Sequence, residues 1–201
     1  MAEKPTGPLA NLIQELSRLP GVGARSAERI AVHLLEAPGD QVLDLAKVIR
    51  SLKTSVHHCS TCFNLTETDI CTICADDTRD RSVICVVELP KDVMRIEATG
   101  AYKGMYHVLG GHIAPLDGIG PDKLNISSLL TRARDALVKE VVLATNPTVE
   151  GDGTALHVSS LLESIEVKIS RLARGLAAGA AIEFATKDTL AEAITGRQPL
   201  P

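Results

Sequence analysis

The sequence predicts a multi-part α+β protein: short helices first, a small metal-binding segment next, then an α/β part on a largely parallel sheet, and a helical C-terminal stretch. Three observations predict it. Apolar residues recur at helical spacing up to residue 56, four cysteines fall between residues 59 and 74, and from residue 81 short β-rich runs alternate with helical ones. With 201 residues the chain has the length for one or two domains and a sizeable core.

Leu9, Leu12, Ile13, Leu16 and Leu19 form the first helical stripe, which stops at Pro20-Gly21-Val22-Gly23. A second helix starts near Ala24, turns Ile30, Ala31, Leu34 and Leu35 to one side, and ends before Pro38-Gly39. Asp40 is expected to cap a third, on which Val42, Leu45, Ala46, Ile49, Leu52 and Val56 keep the 3.6-residue period. Beyond the cysteines the expected order is strand 83–89, helix 91–98, strand 106–109, helix 127–138, strand 141–145, helix 154–164, strand 167–172 and helix 188–194. Such alternation implies crossover units on a parallel sheet, with the Gly/Pro-rich stretch 110–121 as a long loop on its rim.

Composition narrows the function. At 45% hydrophobic and 23% charged the chain is neither disordered nor fibrous. Two Phe, two Tyr and no Trp argue against a single-strand reader that stacks successive bases, so any nucleic-acid contact is expected to be with phosphate. The first nine residues hold no apolar core of signal-peptide length, and no later stretch approaches the ~20 apolar residues of a membrane span, which points to the cytoplasm. The net charge of −4 hides a partition: residues 1–58 carry seven Lys/Arg against six Asp/Glu, residues 59–80 one against five, and residues 81–201 thirteen against fourteen. The excess acid sits in the cysteine segment.

The sharpest motif is Cys59-x2-Cys62-x8-Cys71-x2-Cys74. Each Cys-x2-Cys turn presents two thiolates, and two turns complete the closed tetrahedron of a structural zinc site. His57 and His58 adjoin it but are expected at the surface, and Cys85, inside Val83-Ile84-Cys85-Val86-Val87, reads as a small core hydrophobe. Between the first two helices, Gly21 and Gly23 let the backbone approach a ligand, and the helix that follows turns its free N–H groups there. Arg25 and Arg29, four apart, add charge on one face, so the segment looks like a helix-hairpin-helix that grips the DNA backbone. Lys47, Arg50 and Lys53 extend the basic set, whereas Gly118-Ile119-Gly120-Pro121 with Lys123 lacks a helix before it and reads as a decoy. Glu88 closes the first strand of the α/β part, Asp92 lies in the next helix's first turn, and Glu150 and Asp152 follow the strand 141–145. Acids at the carboxyl ends of parallel strands sit where open sheets place ligands, and Mg²⁺ would need one or two of them plus phosphate oxygens. The same acids also suit helix capping and solvated rims. No P-loop, HExxH or GxSxG is present.

In this order, the hairpin, the four-cysteine finger and an α/β part opening Cys85-Val86-Val87-Glu88-x-Pro90-x-Asp92 resemble the RecR family of bacterial recombination mediators. Tyr106-His107-Val108-Leu109-Gly110-Gly111-x-Ile113-x-Pro115-Leu116-Asp117-Gly118, residues 146–152 and Arg171-Leu172-Ala173-Arg174-Gly175-Leu176 look like further family motifs, so the likeness runs from Leu9 to Arg197. It implies four regions: a DNA-binding hairpin at 1–56, a structural zinc finger at 57–80, a Toprim domain at 81–176 and an oligomerisation segment at 177–201. It further implies a non-enzymatic mediator in the bacterial cytoplasm and nucleoid. Such a protein assembles into a ring-like oligomer, a tetramer being one option, binds gapped and junction DNA, and works with RecO and RecF so that RecA displaces single-strand-binding protein. Arg25 and Arg29 fall on the hairpin's basic positions, and Glu88, Asp92, Glu150 and Asp152 on an acidic face expected to contact RecO. Two departures stand out. The Asp-x-Asp pair that holds Mg²⁺ in Toprim enzymes reads Asn146-x-Thr148, and the family's Gly-Leu-Pro-x-Gly-Gly reads Gly175-Leu176-Ala177-Ala178-Gly179-Ala180. The rival expectation is a Mg²⁺-dependent Toprim nuclease or primase-like enzyme using Glu88, Glu150 and Asp152.

Overall fold

A computed structural model describes residues 7–197. The first six residues, on which part of the expected absence of a leader falls, and the last four of the segment 177–201 lie outside them. The chain divides into two compact units, with the boundary between Val56 and His57.

The first unit holds α1 (Pro8–Ser17), α2 (Ala24–Glu36) and α3 (Gly39–Ser55). Pro8 opens α1 at a position whose N–H has no helical partner. Ala27 and Ala31 of α2 are fully buried, and their small side chains let α1 and α2 close on each other. The apolar period of α3 predicts a buried stripe, but the helix has no buried residue: Leu45, Ile49 and Leu52 are 45%, 60% and 60% exposed. Asp40 does not cap it either. Pro38 occupies the cap position and Asp40 lies in the first turn, where its charge still complements the helix dipole.

The second unit opens with a two-stranded antiparallel ribbon, β1 (His57–His58) and β2 (Leu65–Thr66), followed by the short helix α4 (Thr72–Ala75). Then come β3 (Asp80–Val87), α5 (Pro90–Glu97), β4 (Gly104–Val108), α6 (Ile126–Ala133), β5 (Glu140–Leu143), α7 (Val149–Leu162), β6 (Lys168–Arg171) and α8 (Lys187–Thr195). The strands form one parallel sheet in the order β4-β3-β5-β6, as the alternation of elements predicts. On central β3, Ile84 and Val86 face a core that includes the four zinc-motif cysteines, while Cys85 and Val87 face Tyr106 and Val93 on the other side. Cys85 is the expected core residue. Among the described residues no helix is long and apolar enough to cross a membrane.

Three departures from the sequence reading have a local structural basis. Helix α6 stops at Ala133 instead of 138, because the Asp135 carboxylate accepts the Leu137 N–H at 3.0 Å and bends the chain. The loop 110–121 contains a 3₁₀ turn at Pro115–Asp117 and a bridge between Ala114 and Ile119. Helix α7 starts at Val149, five residues ahead of expectation, because the Thr148 hydroxyl caps it by accepting the Gly151 N–H at 3.1 Å. Glu150 and Asp152 therefore sit in that helix's first turn, not in a loop.

Candidate functional site

The four cysteines are brought together by two different local devices. Cys59 and Cys62 flank a knuckle between β1 and β2, closed by the Cys59 N–H donating to Asn64 O at 2.7 Å and the Phe63 N–H to Cys59 O at 3.0 Å, with Phe63 at φ +63°. Cys71 is the N-cap of α4, its Sγ accepting the Cys74 N–H at 3.4 Å, and Cys59 Sγ accepts the Cys71 N–H at 3.3 Å. All four Sγ atoms are buried and lie within 4.8 Å of one another, Cys62 to Cys71 at 3.5 Å. Zn–S bonds of about 2.3 Å place tetrahedral sulfurs about 3.8 Å apart, so the set fits Zn²⁺. Burial pushes the Cys59 thiol up, but N–H groups of Cys71, Cys62 and Thr61 outweigh it and hold the thiol below its ordinary value. Cys74 and burial push the Cys62 thiol up. A dication between the sulfurs removes that conflict, since ligating thiols are deprotonated outright. His57 and His58 are exposed, and the His58 ring bonds Phe63 O at 2.9 Å.

The Pro20–Gly23 turn places Gly21 at φ +81°, and Gly23 forms the N-cap of α2. Glycine supplies no side-chain cap, so the first amides of α2 stay available above an open surface. Arg25 and Arg29 are both exposed on that helix. On α3, Lys47 pairs with Asp44 at 2.8 Å, and Arg50 and Lys53 are exposed. Uncapped backbone N–H donors and exposed cations are the groups from which a phosphate oxygen accepts.

The four candidate acids do not form one open cluster. Glu88 is buried at 2% exposure and accepts from Asn146 N–H at 2.8 Å and Asn146 Nδ2 at 2.7 Å, with His112 Nδ1 at 3.2 Å. Asp92 caps α5 by accepting the Leu89 N–H at 2.9 Å. Asp152 is held by Arg174 and by Arg171, the latter at 2.7 Å, and Arg174 also reaches Glu192 of α8 at 3.1 Å. Glu150 alone is exposed and beside Leu116 and Val149. Gly151 seats the Glu88 carboxylate: a Cβ there would collide with the Asn146 carbonyl. Where a Toprim enzyme needs two further acids, this site offers an amide that donates to Glu88 and a hydroxyl spent on a helix cap. His112, Arg171 and Arg174 are not among the candidate site residues of the sequence: Arg171 and Arg174 stand in the motif 171–176, which gives them no role, and His112 falls on an open position of the motif 106–118.

Comparison with known proteins matches each region separately. Residues 9–53 match the helix-hairpin-helix family of RecR, residues 56–76 the four-cysteine zinc finger domain of RecR, and residues 82–173 the Toprim domain. Proteins named Recombination protein RecR are similar over nearly the whole chain: 51% identical in Rhodopirellula baltica, covering 96% of this chain and 98% of that one, and 48% in Pelotomaculum thermopropionicum, covering 96% of both. That of Myxococcus xanthus is 46% identical over 96% of this chain and 98% of its own. Since the hairpin, the four-cysteine centre and the Toprim sheet recur together, in order and at about half identity end to end, the chain belongs to the RecR family.

Proposed function

We propose that the chain is a non-enzymatic mediator of recombinational DNA repair. It binds gapped and junction DNA through phosphate contacts and acts with RecO, and with RecF, to load RecA where single-strand-binding protein covers a gap. One observation carries the reading: uncapped first-turn amides of α2 stand beside exposed Arg25 and Arg29 on an exposed glycine turn. Such contacts are weak singly and blind to sequence, which suits a protein that multiplies them through an oligomer. The exposed Leu45, Ile49 and Leu52 stripe of α3 supports self-association of the region 1–56, and residues 177–201 are assigned a further subunit contact. The zinc finger, 57–80, holds structure, and the Toprim domain, 81–176, serves partners. Its acidic contact with RecO centres on exposed Glu150, with Glu88 and Asp92 shaping the surface from beneath and Asp152 held at its edge by arginines. The Glu88 environment supports the absence of catalysis, because its buried carboxylate is engaged by Asn146 and His112 and the pair position beside it carries no acid. Such a mediator works in the bacterial cytoplasm, at the nucleoid.

The test is RecA loading onto gapped DNA coated with single-strand-binding protein, with cognate RecO present, comparing wild type with the Arg25→Ala/Arg29→Ala double variant. Stimulation by the wild type that the double variant loses is expected, together with salt-sensitive DNA binding that disappears in parallel. Stimulation by both proteins moves the essential role to the Toprim face. No stimulation with active RecO overturns the mediator reading.

A further inference from the structure

The four-cysteine centre has a charge problem that its own segment does not solve. Four thiolates around Zn²⁺ carry a net −2. Residues 59–80 add five acids and a single cation, Arg79, which is already engaged by Glu97 and Asp76. Backbone N–H groups of Thr61, Cys62 and Cys71 act on Cys59, that of Asn64 on Cys62 and that of Cys74 on Cys71, but these are dipoles and leave the net charge in place. The sulfurs are buried, and burying their net −2 without a compensating cation is costly.

Arg132, in the last turn of α6, lines one cavity with Thr61, which lies between Cys59 and Cys62. Its guanidinium is half-buried and makes no ion pair with any carboxylate among the described residues. Nη1 donates to the Tyr106 carbonyl at 2.7 Å and to His107 Nδ1 at 3.1 Å. His107 is fully buried, and its Nε2 lies 2.8 Å from the Asn125 carbonyl. An arginine can only donate and a carbonyl can only accept, so Nδ1 is bare and Nε2 carries the proton. The ring is thereby a neutral strut in one fixed tautomer. Its edge meets Phe63, the residue after Cys62, with ring centroids 5.4 Å apart, and the Cys62 carbonyl accepts the Val108 N–H at 2.8 Å. Burial works against the Arg132 charge, whereas negative charge at Cys74, Cys62 and Cys59 works for it.

We infer that Arg132 is the internal counter-charge of the zinc tetrathiolate, supplied by the α/β part and aimed by the Tyr106 carbonyl and the neutral His107 ring. The finger and the sheet then share one electrostatic unit: zinc-bound thiolates offset the cost of a half-buried cation, and the cation favours the zinc-bound thiolates. Without metal, Arg132 is a half-buried charge with no carboxylate partner among the described residues.

The full chain tests this with two variants that separate charge from hydrogen bonding. Arg132→Gln keeps a donor for the Tyr106 carbonyl and removes the charge, whereas Arg132→Lys keeps the charge and removes the fork. Zn²⁺ affinity, measured by competition with a chromogenic chelator, is expected to fall about 10–100-fold in Arg132→Gln and far less in Arg132→Lys, the range typical of lost outer-shell partners. The melting temperature gives an independent reading. Arg132→Gln should lower that of the zinc-loaded protein while leaving the zinc-free protein unchanged or raised. Equal lowering of both forms with unchanged Zn²⁺ affinity overturns the inference, as does a Zn²⁺ affinity lower in Arg132→Lys than in Arg132→Gln. Where the zinc-free variants do not fold, zinc dissociation from the loaded proteins into excess chelator is measured instead. Release fastest from Arg132→Gln supports the inference, and equal release from all three proteins sinks it.

Discussion

Glu88 shows how one buried side chain separates two functional readings. Its carboxylate accepts both the backbone and the side-chain N–H of Asn146, and His112 closes the remaining side. It therefore acts as an internal brace between the end of β3 and the start of α7, and a brace leaves a thermodynamic mark. Glu88→Ala removes the acceptor and leaves those donors without a partner, which costs roughly 1–3 kcal/mol. Glu88→Gln retains one oxygen and should recover part of the loss. Urea denaturation of the two variants measures the difference, and equal stability of Glu88→Ala and wild type would remove the brace. The same variants probe the enzyme alternative, because Mg²⁺-dependent nicking of plasmid that Glu88→Ala abolishes would revive it.

At the scale of the element, the turn before α2 makes its two glycines do different jobs. Gly21 sits at φ +81° with open space around its Cα, so Gly21→Ala carries a purely conformational penalty, about 1 kcal/mol, and Gly21→Asn less. Gly23 has φ −77° and equally open surroundings, so Gly23→Ala meets no left-handed strain and costs about 0.5–1 kcal/mol through the poorer N-cap alone. If phosphate approaches the backbone there, Gly23→Ala weakens DNA binding severalfold while the melting temperature falls by no more than about 4 °C. Unchanged binding by fluorescence anisotropy would place the phosphate elsewhere. This turn was legible in the sequence because Pro-Gly-x-Gly between two apolar periods has few other solutions, and the cysteine spacing was legible for the same reason. The β1–β2 ribbon was not: strands of two exposed residues carry no alternation to read. Nor was the start of α7, where Pro147, Gly151 and Gly153 read as breakers while the informative signal was Thr148 followed by acids in the first turn. Residues that act through distant partners were hidden altogether. Nothing local sets Arg132 apart from other arginines, and only the fold brings it to Tyr106 and His107.

Across the whole molecule, the second unit is laced by carboxylates that are more acidic folded than unfolded. Arg79, then the Tyr106 hydroxyl, hold Glu97 down and tie α5 to the start of β3. Ser170 and Lys168 do the same for Glu140 across β5 and β6. Arg174, then Arg171, hold Asp152 down to about 2, which links α7 to the strand end that leads towards α8. Each group binds a proton more readily in the unfolded chain. Its contribution is therefore complete above the ordinary carboxylate range, about pH 4, and is lost as pH falls through the group's lowered folded value, about 2 for Asp152. His107 adds a loss in the same direction that begins below about pH 6.5, since burial, and then Arg132, keep its folded value down at about 4. Thiolate protonation releases zinc over the acidic range as well, so the informative quantity is the difference between wild type and a variant with the zinc centre intact. Asp152→Asn should lower the melting temperature slightly above pH 5, because the Asp152 side chain is 36% exposed and water screens its ion pairs. The gap should close between about pH 4 and pH 2, where wild type loses what the amide never had. Parallel curves through that window would mean that the Asp152 pairs orient the arginines without stabilising the fold, and the tie to α8 would then rest on the Arg174–Glu192 pair and on the packing of Gly175 against Ala193.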